Sequence, residues 1–189
     1  MINNYCNHLN VDFDIDRRYL DTLMYNPSYK HKWGPFLIPA EYQCQNFKSW
    51  LQQRDLYIGH AEIFHTPPNN ITEIHIDGGI NDTCIKINWV FGAEASSMKW
   101  WQPNEGTNGP ILKMTQNNTP YLYYDPHESH AVFESKVGSA AFLNTAEPHN
   151  VINLTDQHRW AMSFVIKHRS NASANYETLK NHLSPWIIA

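Results

Sequence analysis

In Glu73-Ile74-His75-Ile76-Asp77-Gly78-Gly79 a histidine and a carboxylate stand two positions apart inside an apolar, β-branched run. Side chains at i and i+2 of a β-strand project to the same face, so His75 and Asp77 converge while Ile74 and Ile76 turn to a core on the other. Gly78-Gly79 predicts the end of that strand. The pair reads as the first two ligands of a metal site. Pro148-His149-Asn150 supplies a third at the head of the apolar run Val151-Ile152, and ten positions on Arg159 opens a further run, Trp160 to Ile166.

Outward from these residues the pattern is that of an all-β core. Tyr57 to Phe64, Ile71 to Asp77, Thr83 to Phe91, Ser97 to Trp101, Ala131 to Glu134, Ala140 to Leu143, His149 to Leu154 and Trp160 to Ile166 are short β-prone runs. They are separated by Gly, Pro, Asn and Asp. Eight such runs suit a two-sheet jelly roll. Upstream the spacing is helical: Tyr19, Leu20, Leu23 and Met24 predict a short helix within Asp16 to Tyr25, closed by Asn26-Pro27. Cys44, Phe47, Trp50 and Leu51 predict a second within Glu41 to Leu56 that packs on a sheet. Trp33 to Pro39 is a proline-punctuated connector, residues up to about Asn10 are expected to be loosely ordered, and Tyr176 to Leu183 is a helix ended by Pro185. The division expected is one domain over 1–189: helical support in 1–56, a jelly-roll core in 57–166 and a C-terminal helix and tail in 167–189.

Thr155-Asp156-Gln157-His158 reads as the turn of a hairpin that would pair Arg159 near Leu154, about 16 Å along the strand from His149 at roughly 3.3 Å per residue. Arg159, Ala161 and Ser163 share one strand face.

Composition narrows the function classes. The chain has 189 residues, 42% hydrophobic and 13% aromatic, enough for a sizeable core. A net charge of −4 argues against bulk nucleic-acid binding, which needs a cationic footprint. Three widely spaced cysteines, Cys6, Cys44 and Cys84, form neither a disulfide framework nor a CxxC zinc site. No signal peptide and no membrane span is read, so the expectation is a soluble cytoplasmic protein.

Taken together, H-x-D, a distant His at a strand start and an Arg ten residues later resemble the Fe(II)/2-oxoglutarate-dependent dioxygenases, a double-stranded β-helix (jelly-roll, cupin-like) family. The resemblance covers roughly His60 to Ile166. It implies Fe(II) on His75, Asp77 and His149, with an open face for 2-oxoglutarate and O₂. It places the distal carboxylate of 2-oxoglutarate on Arg159, whose guanidinium fork suits a carboxylate. Many family members carry a hydroxyl two residues after the Arg. Here that position is Ala161, and Ser163, two further along, is the candidate in its place. Prolyl-hydroxylase-like relatives place a Tyr about ten residues before the first ligand; this chain has Phe64 there, and Asn88 is the substitute candidate. The implied reaction is hydroxylation of a small-molecule or peptide substrate with release of succinate and CO₂. Trp89, Trp100, Trp101, Tyr123 and Tyr124 are candidate cleft aromatics, weighed against packing. Two other classes remain open: a zinc-dependent hydrolase on the same ligands, and a non-catalytic cupin-type binding protein.

Overall fold

The computed structural model describes residues 3–29, 35–77, 84–115 and 118–188. Gly78-Gly79, Thr83 and the Trp33-Gly34 start of the connector lie outside them. Thirteen strands occur among the described residues: β1 (Cys6–His8), β2 (Phe36–Leu37), β3 (Leu56–Thr66), β4 (Asn70–Ile71), β5 (Ile74–Asp77), β6 (Ile85–Phe91), β7 (Ser97–Pro103), β8 (Ile111–Met114), β9 (Pro120–Tyr124), β10 (Ser129–Lys136), β11 (Ala141–Asn144), β12 (His149–Asn153) and β13 (Arg159–His168). Three helices accompany them: α1 (Arg18–Tyr25), α2 (Gln45–Gln52) and α3 (Tyr176–Leu183).

The strands form two antiparallel sheets, ordered β1-β11-β6-β13-β3-β2 and β10-β7-β12-β5-β9-β8, with β4 also on β12. The nesting defines the fold. Of the eight runs read from sequence, first pairs with last (β3 with β13), second with seventh (β5 with β12), third with sixth (β6 with β11) and fourth with fifth (β7 with β10). A long hairpin rolled on itself in this way is the double-stranded β-helix expected.

Alternation gives each strand of the first sheet two chemistries. Trp160, Met162, Phe164 and Ile166 of β13 join Ile85, Ile87 and Trp89 of β6 in a core beneath the helices, which contribute Leu20, Phe47, Trp50, Leu51 and Leu179. The opposite faces of the same strands carry Arg159, Ala161 and Ser163, and Lys86 and Asn88, into the space between the sheets, where all five are buried. Met98, Trp100, Ala141 and Leu143 form a smaller apolar cluster of their own.

Four expectations need correction. His149 and Arg159 are not on one hairpin: β12 pairs with β5 and β7, β13 pairs with β3 and β6, and Arg159 stands opposite Thr66. The connection crosses between sheets, and the buried Asn153 amide holds it by donating to the carbonyls of Thr66, Pro67 and Gln157. The second helix is shorter than the Glu41 to Leu56 window: it spans Gln45–Gln52, preceded by a separate 3-10 turn at Ala40–Tyr42 and followed by a turn through Asp55, at a left-handed φ of 52°, into β3. The polar start is ordered by pairing: Cys6, Asn7 and His8 face Leu143, Phe142 and Ala141, and the Asn7 amide donates to Tyr176 Oη at 2.8 Å. The N-terminal 56 residues are thus not purely helical support, since β1 and β2 both join the first sheet. Tyr121-Leu122-Tyr123-Tyr124, given no element from the sequence, belongs to β9, held between β5 and β8.

Candidate metal centre

Register builds the centre. His75 lies directly opposite His149, and opposed residues of an antiparallel pair share a face, so the two imidazoles meet with centroids 4.6 Å apart. Asp77, two residues along β5, projects to the same side. Its carboxylate oxygens lie 3.6 Å from His75 Nε2 and 3.7 Å from His149 Nε2. Two atoms each bonded to one ion at about 2.1 Å stand at most about 4.2 Å apart, so these separations fit a shared cation. The ligand atoms of the three residues all lie within 4.8 Å of one another.

The backbone sets the tautomers. His75 Nδ1 is 2.8 Å from the Glu73 carbonyl and His149 Nδ1 is 2.9 Å from the Glu147 carbonyl. A carbonyl can only accept, so each Nδ1 carries the proton and each Nε2 lone pair is left for an ion. Ile74, on the other face of β5, is buried as expected, while Ile76 is only partly so.

One residue was missed by sequence reasoning. Lys86 is 4% exposed and its ammonium donates to Asp77 Oδ2 at 2.8 Å while lying 4.7 Å from the centre of the Phe64 ring. Burial disfavours charge on both partners, but their mutual attraction prevails: Asp77 is held well below the usual carboxylate range and Lys86 is raised. Burial also works against protonation of His75, yet the Asp77 carboxylate outweighs it and the net shift is upward. His149, buried and facing the charge of His75, is pushed down to about 4. The only signal in the sequence was parity, since Lys86 shares a strand face with Asn88.

Farther along the same inward wall the structure brings together the other three predicted residues. Asn88 and Ser163 are cross-strand partners. Arg159 lies four residues beyond Ser163, roughly 13 Å along the strand, with the small Ala161 between. Asn88 Oδ1, Ser163 Oγ and Arg159 Nε are all buried without a hydrogen-bond partner. No carboxylate pairs with Arg159 among the described residues, and burial alone pushes its guanidinium down to about 10, still charged at neutral pH. Buried polar atoms are ordinarily satisfied. Of the three, Arg159 Nε and Ser163 Oγ can donate, whereas Asn88 Oδ1 can only accept.

The aromatic candidates divide. Trp89 is packed under the helices against Phe47 and Phe164, and Trp100 is fully buried with its indole N–H on the Asn144 carbonyl. Both are core, because their strands place them there. Trp101 is half-buried and donates to Asn150 Oδ1. Tyr123 stands opposite His75 and Tyr121 opposite Asp77, so both lie beside the triad on its own face. Two surface clefts, of about 490 Å³ by Asn144 and Glu147 and about 530 Å³ by Trp50 and Arg54, contain no triad residue. The inter-sheet space, with its charges and orphaned atoms, is therefore the better candidate site.

Fold and site together define a double-stranded β-helix with a His-Asp-His cluster at the meeting of β5 and β12. No family model matches the sequence, and no curated protein does either. Solved structures similar to the chain include a prolyl-4-hydroxylase of Pseudomonas putida, at 15% identity and a TM-score of 0.38 over 81% of this chain and 82% of that one. EvdO2 of Micromonospora carbonacea, complexed with 2-oxoglutarate, aligns at 14% identity and a TM-score of 0.36 over 92% of this chain and 71% of that one. E. coli ycfD aligns at 14% identity and a TM-score of 0.33 over 57% of this chain, which spans only 25% of that one. No helix among the described residues is long and apolar enough to cross a membrane.

Proposed function

We propose that the chain is an Fe(II)- and 2-oxoglutarate-dependent oxygenase, with the metal on His75, Asp77 and His149 and the cosubstrate between that metal and Arg159. The observation that carries this reading is the buried Arg159 guanidinium, without a carboxylate partner among the described residues and on the wall that also bears Asn88 and Ser163. An unpaired buried charge costs several kcal/mol, and a dicarboxylate would supply the missing anion by a bidentate, charge-assisted bond. The donor set fits Fe(II): two imidazole nitrogens and one carboxylate oxygen would hold it and leave room among its ligands for a chelating 2-oxo acid and O₂.

When bound, the iron and its cosubstrate would supply oxidative decarboxylation to succinate and CO₂ together with hydroxylation of a C–H bond. The chain's own work is placement. Carbonyls of Glu73 and Glu147 fix the imidazole tautomers, Arg159 orients the distal carboxylate, and the unpartnered Ser163 hydroxyl is free to donate to it. Trp100, in its apolar cluster, lies beside His149 with ring centroids 6.3 Å apart. A small-molecule or peptide substrate would approach past Tyr121 and Tyr123. A zinc hydrolase would need a free general base, and Glu73 on the same segment is already engaged by Lys113 and Tyr121. The test is succinate formation from 2-oxoglutarate by anaerobically purified, Fe(II)-loaded protein on admission of O₂. Fe(II)-dependent succinate is the expected result; none above a metal-free control, with a panel of amines, amino acids and peptides present, would set the reading aside.

A further inference from the structure

We infer that Lys86 is a built-in competitor for the carboxylate ligand, weakening the site for a bare divalent cation and making tight metal binding depend on an anionic chelator. The inference rests on the metal half of the reading above and extends it to how the site is loaded. Lys86 projects inward from β6, is 4% exposed, and has its ammonium on Asp77 Oδ2 at 2.8 Å. That oxygen lies 3.7 Å from His149 Nε2, within the span an ion would occupy. Asp77 is the only anion of the triad, and Lys86 already neutralises it.

Charge decides the direction. A divalent cation arriving alone must share Asp77 with an ammonium and leaves two positive charges uncompensated in a buried site, where like charges repel more strongly than in water. A dianionic chelator bound with the cation offsets that excess with its metal-binding carboxylate, while its distal carboxylate answers Arg159. Without Lys86, the cation and Asp77 together would leave one positive charge, and the cation would relieve an otherwise unpaired buried carboxylate. Lys86 therefore lowers affinity for metal alone and raises the coupling between metal and dicarboxylate, which linkage makes reciprocal. A merely structural ion pair predicts the opposite sign, since a displaced Asp77 would bind metal less well.

The measurement is Mn(II) binding to metal-free protein, by electron paramagnetic resonance and calorimetry, with and without 2-oxoglutarate. It would be made on wild type, Lys86→Met, Lys86→Gln and Lys86→Arg, with circular dichroism to confirm folding. Lys86→Gln removes the charge but keeps a hydrogen bond to Asp77, so it serves if Lys86→Met does not fold. Both neutral variants should bind Mn(II) alone at least tenfold more tightly than wild type, Lys86→Arg should stay within threefold, and 2-oxoglutarate should tighten Mn(II) most in wild type and Lys86→Arg. Equal or weaker Mn(II) binding by the neutral variants overturns the inference while leaving the metal site standing. Absence of Mn(II) binding in every form overturns the triad as a metal site and this inference with it. An unchanged response to 2-oxoglutarate, beside tighter Mn(II) in the neutral variants, upholds the competitor role and overturns the coupling.

Discussion

Arg159 is buried with no carboxylate partner among the described residues, and that makes it the residue whose replacement reports most directly on the cosubstrate. Truncating one member of a buried charged pair costs about 3–5 kcal/mol, and each 1.4 kcal/mol is about tenfold. Arg159→Ala should therefore raise the Kd for 2-oxoglutarate by about two orders of magnitude or more in the Mn(II) form. Arg159→Lys, which keeps the charge and loses the fork, should fall between, and metal affinity should not move. Titration calorimetry reads all three. A second expectation concerns pH. Metal binding displaces protons from its ligands. In the metal-free protein Asp77 is already ionised and His149 titrates only at about 4, whereas His75 is raised above its ordinary value by Asp77. Mn(II) affinity should thus fall by about tenfold per unit as pH drops from near neutral toward 5, and more steeply near 4 as His149 joins. A flat profile between 5 and 7 would show that His75 is not displaced. His75 and Asp77 were legible because i, i+2 spacing on a strand is a local rule, whereas His149 joins them only through the pairing of β12 with β5. Lys86 was not: a lysine on a strand is ordinarily a solvated edge, and only the roll that carries β6 past β5 turns this one inward.

At the level of elements, the same pattern separates residues that pack from residues that face the site. Trp89 and Phe47 sit in one aromatic cluster with centroids 5.0 Å apart. Alanine at either should cost about 3–5 kcal/mol of stability, measured by urea unfolding, with little selective effect on kinetics in whatever folds. Tyr123 is half-buried, lies opposite His75 and has Lys113 Nζ 3.5 Å from its ring centre. Tyr123→Ala should leave stability within about 1 kcal/mol, yet raise KM for substrate without altering substrate-independent 2-oxoglutarate decay. All eight core strands could be read from period-two runs bounded by turn residues. The added strands could not, because β1, β2 and β4 are two or three residues long and owe their existence to the partner's free edge. β8 carries Ile111, Leu112 and Met114 largely exposed, without the alternation that marks a half-buried strand. The window for α2 was drawn too long: its apolar stripe ends at Leu51, and Gln52-Gln53-Arg54-Asp55 is a polar passage from the helix end into β3.

For the whole molecule, β1 shields the outer edge of β11, and an uncovered edge is a template for association. Deleting residues 1–9 should lower the thermal midpoint and produce concentration-dependent scattering; a monomeric variant of unchanged midpoint would show the edge to be protected otherwise. Sheet membership was the least legible property. Turn residues at 155–158 look alike whether the chain doubles back within a sheet or crosses to the other, and only the competition between β3 and β5 for partners decides it. The nested pairing also carries a kinetic meaning. Each ladder of the roll closes on a longer loop than the one inside it, from β7 with β10 out to β3 with β13, and loop closure must precede the contacts that reward it. His75 and His149 belong to the second-longest of these closures, so no fragment or early intermediate holds both ligands in register. Refolding should therefore be slow for a chain of this length, and capture of a metal ion should report the last stages of the search rather than guide its beginning.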